Sequence, residues 1–201
     1  MDEPRGALRL GNIKGFAFSE FLTWYGHRCG RPTVTAALAA ARAKHPVELD
    51  LTRDGFGILA SQWYSAEFVH AVLDEVMRNH STDELHAIVT EAAQAIMDKM
   101  LRGMYRAVFA ICVTPERYVR HVDKVWRLQY DSGQPIILAT HPKEHRIHYR
   151  DWRSHHPLIC RLNMASARPI YGAMGCQETR YTPLSCVSTG AARCESVVAW
   201  K

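Results

Sequence analysis

The first 130 residues carry apolar side chains at intervals of three and four positions, which is the period of an amphipathic helix. This pattern predicts helices at residues 13–25, 33–44, 66–79, 81–112 and 115–130. Ser81 and Glu84 have the spacing of a capping box at the start of the fourth helix, and Thr114 followed by proline indicates the start of the fifth. Gly55 and Gly57 fall between the second and third helices, where we expect irregular structure.

Beyond the fifth helix the apolar positions indicate strands. Short apolar or alternating runs predict strands at residues 135–140, 144–150, 180–187 and 194–200, with a helix at 157–173. Five helices followed by strand, strand, helix, strand and strand are typical of an α+β fold. We therefore predict a single domain over residues 1–201, in which the N-terminal helical half packs on an antiparallel sheet of about four strands.

The composition indicates a chain with a core and without a membrane span. Apolar residues make up 47% and charged residues 22% of the sequence, the balance of an ordinary globular protein. The longest stretches without a charged residue, 55–66 and 181–192, have 12 residues each. A transmembrane helix needs about 20. The N-terminus also lacks the apolar core of a signal peptide, so we expect a soluble cytoplasmic protein.

Charge and motifs argue against two functional classes. The net charge is +5, from 25 Lys and Arg against 20 Asp and Glu, and the densest basic region is 146–161. The basic residues do not form the stripe with interleaved aromatics that is typical of a nucleic-acid surface. No nucleophile elbow, phosphate-binding loop, dinucleotide fingerprint or zinc-protease motif occurs. We therefore predict that the protein binds no nucleic acid and is not an enzyme.

The C-terminal tail resembles a known group of domains. Four of the six cysteines fall in the last 42 residues, and SCVSTGAARCESVVAW (185–200) has two cysteines around a glycine turn, then an apolar strand ending in tryptophan. This tail resembles the end of the 4-vinyl reductase domains. Their superfamily includes the effector domains of phenol-sensing activators, TRAPP trafficking subunits and haem-based H-NOX sensors, and the chain's layout is most similar to that of small myxobacterial members. The resemblance implies an H-NOX/TRAPP-like fold with a ligand cavity between helices and sheet.

The resemblance also implies a structural zinc site. In the phenol-sensing members a helix cysteine, a glutamate and two strand cysteines bind zinc, and Cys160, Cys186 and Cys194 have the matching spacing. Pro183 stands where that pattern has glutamate, and proline cannot bind a metal. His156 lies four residues before Cys160 near the start of the same predicted helix, so we predict it as the fourth ligand of a Cys₃His zinc site. The alternative is that the cysteines are small buried apolar residues.

A second cofactor is implied by the H-NOX part of the resemblance. Residues Tyr149 to Arg153 resemble the Tyr-x-Ser-x-Arg motif that holds the haem propionates in H-NOX domains, with Asp151 in place of the serine. An acidic side chain there would repel a propionate. His121 lies 28 residues before Tyr149, near the position of the axial histidine in that family. The resemblance thus offers His121, Tyr149 and Arg153 as the residues of a haem site.

The central helices supply candidate residues for a ligand pocket. Methionine and aromatic side chains suit a cavity for an apolar molecule, although an ordinary core uses them equally well. The predicted pocket residues are Met97, Met100, Met104, Phe109 and Trp126.

Taken with the resemblance, these patterns predict a non-enzymatic sensory or regulatory domain. We expect it to bind a small hydrophobic or aromatic molecule and to signal through a protein partner or as a homodimer. The TRAPP-like members suggest dimerisation through helices, with Trp24 and Tyr25 as the candidate exposed aromatics. Two alternatives stay open: a haem-based gas sensor, and a structural or scaffolding subunit of a larger assembly that binds no ligand.

Overall fold

The chain forms a helical N-terminal half followed by a mixed half that contains the main sheet. The computed structural model describes residues 10–103 and 106–201, without the side chains of residues 108 and 109. The helices are α1 (Gly15–Cys29), α2 (Arg31–Lys44), α3 (Ala66–Arg78), α4 (Thr82–Arg102), α5 (Arg106–Phe109), α6 (Pro115–Trp126), α7 (Pro157–Ala165) and α8 (Ala167–Ala173). The strands are β1 (Asn12–Lys14), β2 (Trp63–Ser65), β3 (Gln134–His141), β4 (Glu144–Arg150), β5 (Arg180–Ser185) and β6 (Glu195–Ala199).

The helical layer is organised around α1. Helix α1 packs against α2 and α4, and α2 packs against α3. Local side chains determine where the helices begin, because Ser65 Oγ accepts a hydrogen bond from the Phe68 amide at the start of α3. Ser81 and Glu84 form the predicted capping box of α4, and Thr114 caps α6.

The sheet has four antiparallel strands in the order β3–β4–β6–β5. Alternate residues of β4, namely His145, Ile147 and Tyr149, are buried. The register places Ile147 opposite Ile137 on β3 and Ser196 on β6, both of which are buried on the same face. This face packs against the helices. The predicted α+β fold, with a helical half packed on a four-stranded antiparallel sheet, is confirmed.

The structure differs from the prediction at element boundaries. The predicted helix 157–173 is divided at Ser166, and the predicted fourth helix ends at Arg102, before Gly103. The pairing of β1 with β2 was not predicted, because strands of three residues are too short to show an alternating pattern. A Cβ on Gly15 would collide with the carbonyl oxygen of Leu59, so glycine is required where this loop approaches α1. Within residues 10–103 and 106–201, no helix has the length and apolar character needed to cross a membrane.

Candidate functional site

A cavity of about 150 Å³ lies between the helical layer and the inner face of the sheet. Helices α1, α3, α4, α6, α7 and α8 and strands β3 and β4 all contribute to its wall. Most of the lining side chains are apolar or aromatic, among them Phe18, Met97, Val122, Trp126, Ile147 and Tyr149. The lining, as far as the chain is described, contains neither a charged residue nor a histidine. Such a cavity suits an uncharged apolar molecule.

One wall of the cavity is a cluster of aromatic rings centred on Trp126. The Trp126 ring lies 4.3 Å from Tyr130, 4.9 Å from Tyr149 and 5.1 Å from Trp152, measured between centroids. Its indole nitrogen donates a hydrogen bond to the carbonyl oxygen of Ser132 (3.0 Å). Interlocked rings of this kind bury large apolar areas and have few rotamers, so they form a defined surface.

Three of the five predicted pocket residues line the cavity: Met97, Met100 and Trp126. Met104 and the side chain of Phe109 lie outside the described part of the chain. The prediction missed the contributions of β4, α7 and α8, because residues that follow a strand or helix period look the same whether they line a cavity or fill a core.

The polar groups near the cavity are uncharged. The Tyr130 hydroxyl donates a hydrogen bond to Asn163 Oδ1 (3.1 Å), and the Tyr171 hydroxyl is hydrogen-bonded to His145 Nδ1 (2.6 Å). Burial raises the pKa of Tyr130, Tyr149 and Tyr171 well above the ordinary value, so these phenols stay neutral. Burial also lowers the pKa of His145, which favours its neutral form.

The residues of the haem alternative are not brought together. Tyr149 lines the cavity and stacks on Trp126. His121, on α6, is half-buried and is not part of the lining, and Arg153 is exposed. The backbone explains why Arg153 is exposed. Asp151 has a positive φ of 54°, and after this turn the Trp152 ring, not the Arg153 side chain, is directed into the aromatic cluster.

A second candidate site is a group of thiols at the junction of α7 with the sheet. Cys194 Sγ lies 3.5 Å from Cys160 Sγ, 3.3 Å from Cys186 Sγ and 3.4 Å from His155 Nδ1. Cys160 Sγ is 3.6 Å from the same His155 nitrogen. The donor atoms of His155, Cys160 and Cys194 all lie within 4.8 Å of one another, with Cys186 adjoining through Cys194. Ligand atoms of tetrahedral zinc, with Zn–S bonds of about 2.3 Å, lie about 3.8 Å apart.

Electrostatics in this group favour a thiolate at Cys194. The hydrogen bond from the Cys160 thiol, together with those from His155 and from the Val187 amide, lowers the pKa of Cys194 below the ordinary value in spite of its burial. The same contact and burial raise the pKa of Cys160. The thiolate is the form of cysteine that binds metals, and a bound cation would also ionise the neighbouring thiols. The donor set therefore fits zinc.

His155, and not the predicted His156, lies beside the thiols. His156 is the N-cap of α7 with extended backbone (φ −147°, ψ 144°), so the rule that positions i and i+4 share a helix face does not apply to it. Its Nδ1 accepts a hydrogen bond from the Leu158 amide (3.2 Å), and its Nε2 lies 3.2 Å from Asp74 Oδ1. Both ring nitrogens are thus engaged away from the thiols.

The expectation of exposed aromatics on α1 is wrong for Tyr25. Its side chain is fully buried, stacks on Phe21 at 5.8 Å between centroids and is hydrogen-bonded to His80 Nε2 (2.7 Å). Trp24 is half-buried, with the Arg28 guanidinium over its ring at 5.7 Å.

Comparison with known proteins places the fold beside one class of domain. No family model matches the chain, and neither does any curated protein. Among solved structures, the H-NOX protein from S. oneidensis in the Fe(II)NO ligation state has a TM-score of 0.62 at 15% identity, covering 94% of this chain and 99% of that one. The Fe(II) unliganded H-NOX protein from K. algicida has a TM-score of 0.63 at 13% identity, covering 94% and 96%. A mutant of the T. tengcongensis H-NOX has a TM-score of 0.64 at 10% identity, covering 94% and 97%.

These similarities establish an H-NOX-like fold over nearly the whole described chain. The H-NOX part of the resemblance seen in the sequence is therefore confirmed at the level of fold. The 4-vinyl reductase and TRAPP parts stay predictions.

Proposed function

We propose that this chain is a non-enzymatic sensory domain that holds one small, uncharged, apolar or aromatic molecule in its internal cavity. The observation that carries the proposal is an apolar cavity between the helices and the sheet of an H-NOX-like fold. A cavity of about 150 Å³ with mainly apolar walls is large enough for a single benzene ring. Drug-sized ligands occupy about 300–1,000 Å³, so the molecule must be small.

We infer that a bound ligand would act on the position of helix α6. Helix α6 forms one wall, and Trp126 ties its end to the turn before β3 through the hydrogen bond to Ser132. A ligand that fits one spacing of α6 against the sheet better than another shifts the population toward that spacing. The output surface would then be read by a protein partner or by a second copy of the chain.

Haem-based gas sensing is the second candidate, and the fold favours it. The similar structures are H-NOX proteins described in Fe(II) and Fe(II)NO states, and Tyr149 of the predicted haem motif lines the cavity. The cavity itself does not fit the group. Its described lining has no histidine to bind iron and no cation to hold a propionate, and a cavity of about 150 Å³, the size that holds one benzene ring, is too small for a porphyrin. No step of the proposed mechanism therefore uses haem.

We also propose that Cys160, Cys186, Cys194 and His155 hold one structural zinc ion. A site with four protein ligands leaves no open position for a reacting water, so the ion would tie α7 to the sheet rather than take part in catalysis.

The test of the proposed function is native mass spectrometry of freshly purified protein, with a visible spectrum recorded on the same sample. We expect a colourless protein that gains the mass of one small aromatic molecule, such as toluene, when that molecule is added. A strong visible absorption band with the mass of haem would establish the second candidate instead. A colourless protein that binds no small aromatic molecule would favour the scaffolding alternative.

A further inference from the structure

A groove of about 1470 Å³ lies between the edge strand β5 and the helices α4, α7 and α8. These three helices also contribute to the cavity, but no described residue lines both the groove and the cavity. Part of the groove lining is apolar and includes Val89, Met164 and Leu184. Leu184 is 49% exposed, so this apolar surface is open to a second molecule.

Three arginines border the groove from different elements: Arg161 on α7, Arg168 on α8 and Arg180 on β5. All three are exposed, and their guanidinium groups have no hydrogen-bond or ion-pair partner within the described part of the chain. Unpaired charges of one sign on one surface favour a partner that carries the opposite charge. The groove therefore favours a partner with carboxylates.

The two carboxylates of the same lining do not satisfy these arginines. Glu91 forms an ion pair with Arg28 of α1, which lies outside the groove. Asp98 accepts a hydrogen bond from Gln94 Nε2 (3.0 Å). With Glu91 neutralised by Arg28, three arginines against Asp98 leave the described lining with a net charge of +2, histidine not counted.

The size of the groove suits a segment of polypeptide. Pockets for small molecules have volumes of about 300–1,000 Å³, and this groove is larger. A helix about 10 Å across and about 19 Å long has a comparable volume, about 1,500 Å³. Along α4 the lining extends from Thr82 to Asp98, which is about 24 Å at the helical rise of 1.5 Å per residue.

Pro183 favours a helix over a strand as the occupant. Strand β5 is at the edge of the sheet, where a partner in extended conformation could add a further strand. Pro183 lies within β5 and has no backbone N–H, and proline is one of the residues that keep edge strands from pairing with other chains. A helix satisfies its own backbone hydrogen bonds and binds through its side chains.

We propose that this groove binds an acidic amphipathic helix of a partner protein. The carboxylates of the partner pair with Arg161, Arg168 and Arg180, while its apolar face contacts Met164 and Leu184. The proposal goes beyond the proposed function, because it does not require that the cavity admits a ligand. It supplies the partner surface, and the chemistry of the partner, that a sensory domain needs.

The experiment selects binders of the full chain from two libraries of phage-displayed helical peptides of about 16 residues, the length of the lining along α4. Both libraries have leucine, isoleucine or phenylalanine along one face. The other face has glutamate and aspartate in the first library and lysine and arginine in the second. We expect binders from the acidic library only. A synthetic copy of the selected peptide should gain helical circular dichroism on binding and bind more weakly at high salt.

Arg168→Glu tests the assigned surface, and Arg117→Glu is the matched control. Both arginines are exposed in the first turn of a helix, and only Arg168 borders the groove. The affinity of Arg168→Glu for the selected peptide should fall about tenfold, because the lost attraction and the new repulsion each contribute about threefold. Arg117→Glu should bind the peptide as the original chain does, and both variants should keep the original Tm.

Three results would overturn the proposal: no binder from the acidic library, equal enrichment from both libraries, or equal effects of the two substitutions. Self-association of the chain that Arg168→Glu abolishes and Arg117→Glu preserves would assign the groove to a second copy instead, and would also contradict the proposal. Toluene binding is measured on the same samples, so that a failure of the proposed function is recorded separately.

Discussion

The thiol group gives the most direct test of how this fold is held together. We predict that the purified protein contains about one zinc ion per chain, and that Cys186→Ser removes it. Cys186 is the half-buried member of the group, so its replacement by serine disturbs the core less than changes at Cys160 or Cys194. Cys176→Ser is the control, because Cys176 is also a half-buried free thiol but does not belong to the group.

The size of the stability effect follows from the loop that the ion closes. Cys160 and Cys194 are 34 residues apart. Closing a loop of that length in the unfolded chain costs about 4 kcal/mol by the chain-entropy estimate used for disulfides. A metal cross-link that is present only in the folded state would therefore increase the free energy of unfolding by at most about 4 kcal/mol. In a chain of this length, 4 kcal/mol corresponds to a change in Tm of roughly 10 °C.

The assay combines zinc content by elemental analysis with thermal unfolding, before and after dialysis against a chelator. We expect the chelator to lower the Tm of the original chain and of Cys176→Ser, and to have no effect on Cys186→Ser. Less than about a tenth of a zinc ion per chain in protein prepared without chelator would refute the metal site. Equal loss of zinc in both serine variants would refute the assignment of its ligands.

Three further predictions concern the buried histidines and the cavity. Burial and His156 lower the pKa of His70 to about 4 from an ordinary value of 6.5, so the unfolded chain takes up a proton below pH 6.5 that the folded chain resists. The free energy of unfolding should therefore decrease as the pH falls, by about 2 kcal/mol at pH 5 from this residue. Urea unfolding at pH 7 and pH 5 should show a smaller decrease in His70→Gln than in the original chain. Equal decreases in the two proteins would contradict the assignment. Ala167→Leu, which points a larger side chain into the cavity, should abolish toluene binding, whereas the exposed Ala173→Leu on the same helix should not. Tyr171→Phe should reduce the free energy of unfolding by about 1–3 kcal/mol because it leaves the buried ring of His145 without its partner, and an unchanged urea midpoint would show that the hydrogen bond contributes nothing.

Much of the architecture follows from local patterns in the sequence. The capping signals at Ser81 and Thr114 coincide with the observed starts of α4 and α6, because a cap depends only on residues within one helical turn. The alternation of His145, Ile147 and Tyr149 marks the inner face of β4 for a similar reason, since side chains on a strand alternate between its faces. Apolar periods of helix and strand, taken in order along the chain, were enough to predict the α+β class.

The sites depend on distances that no local pattern contains. The spacing of Cys160, Cys186 and Cys194 was visible in the sequence, but only the structure shows that the extended backbone at the N-cap of α7 leaves His155, and not His156, beside the thiols. The arginines of the groove beside β5 were not recognised for the same reason, because whether a charged group has a partner is a property of its whole surroundings. Periodicity identifies which side chains turn inward. Only the packing of helices against the sheet decides whether they meet as a filled core, a metal site or a cavity.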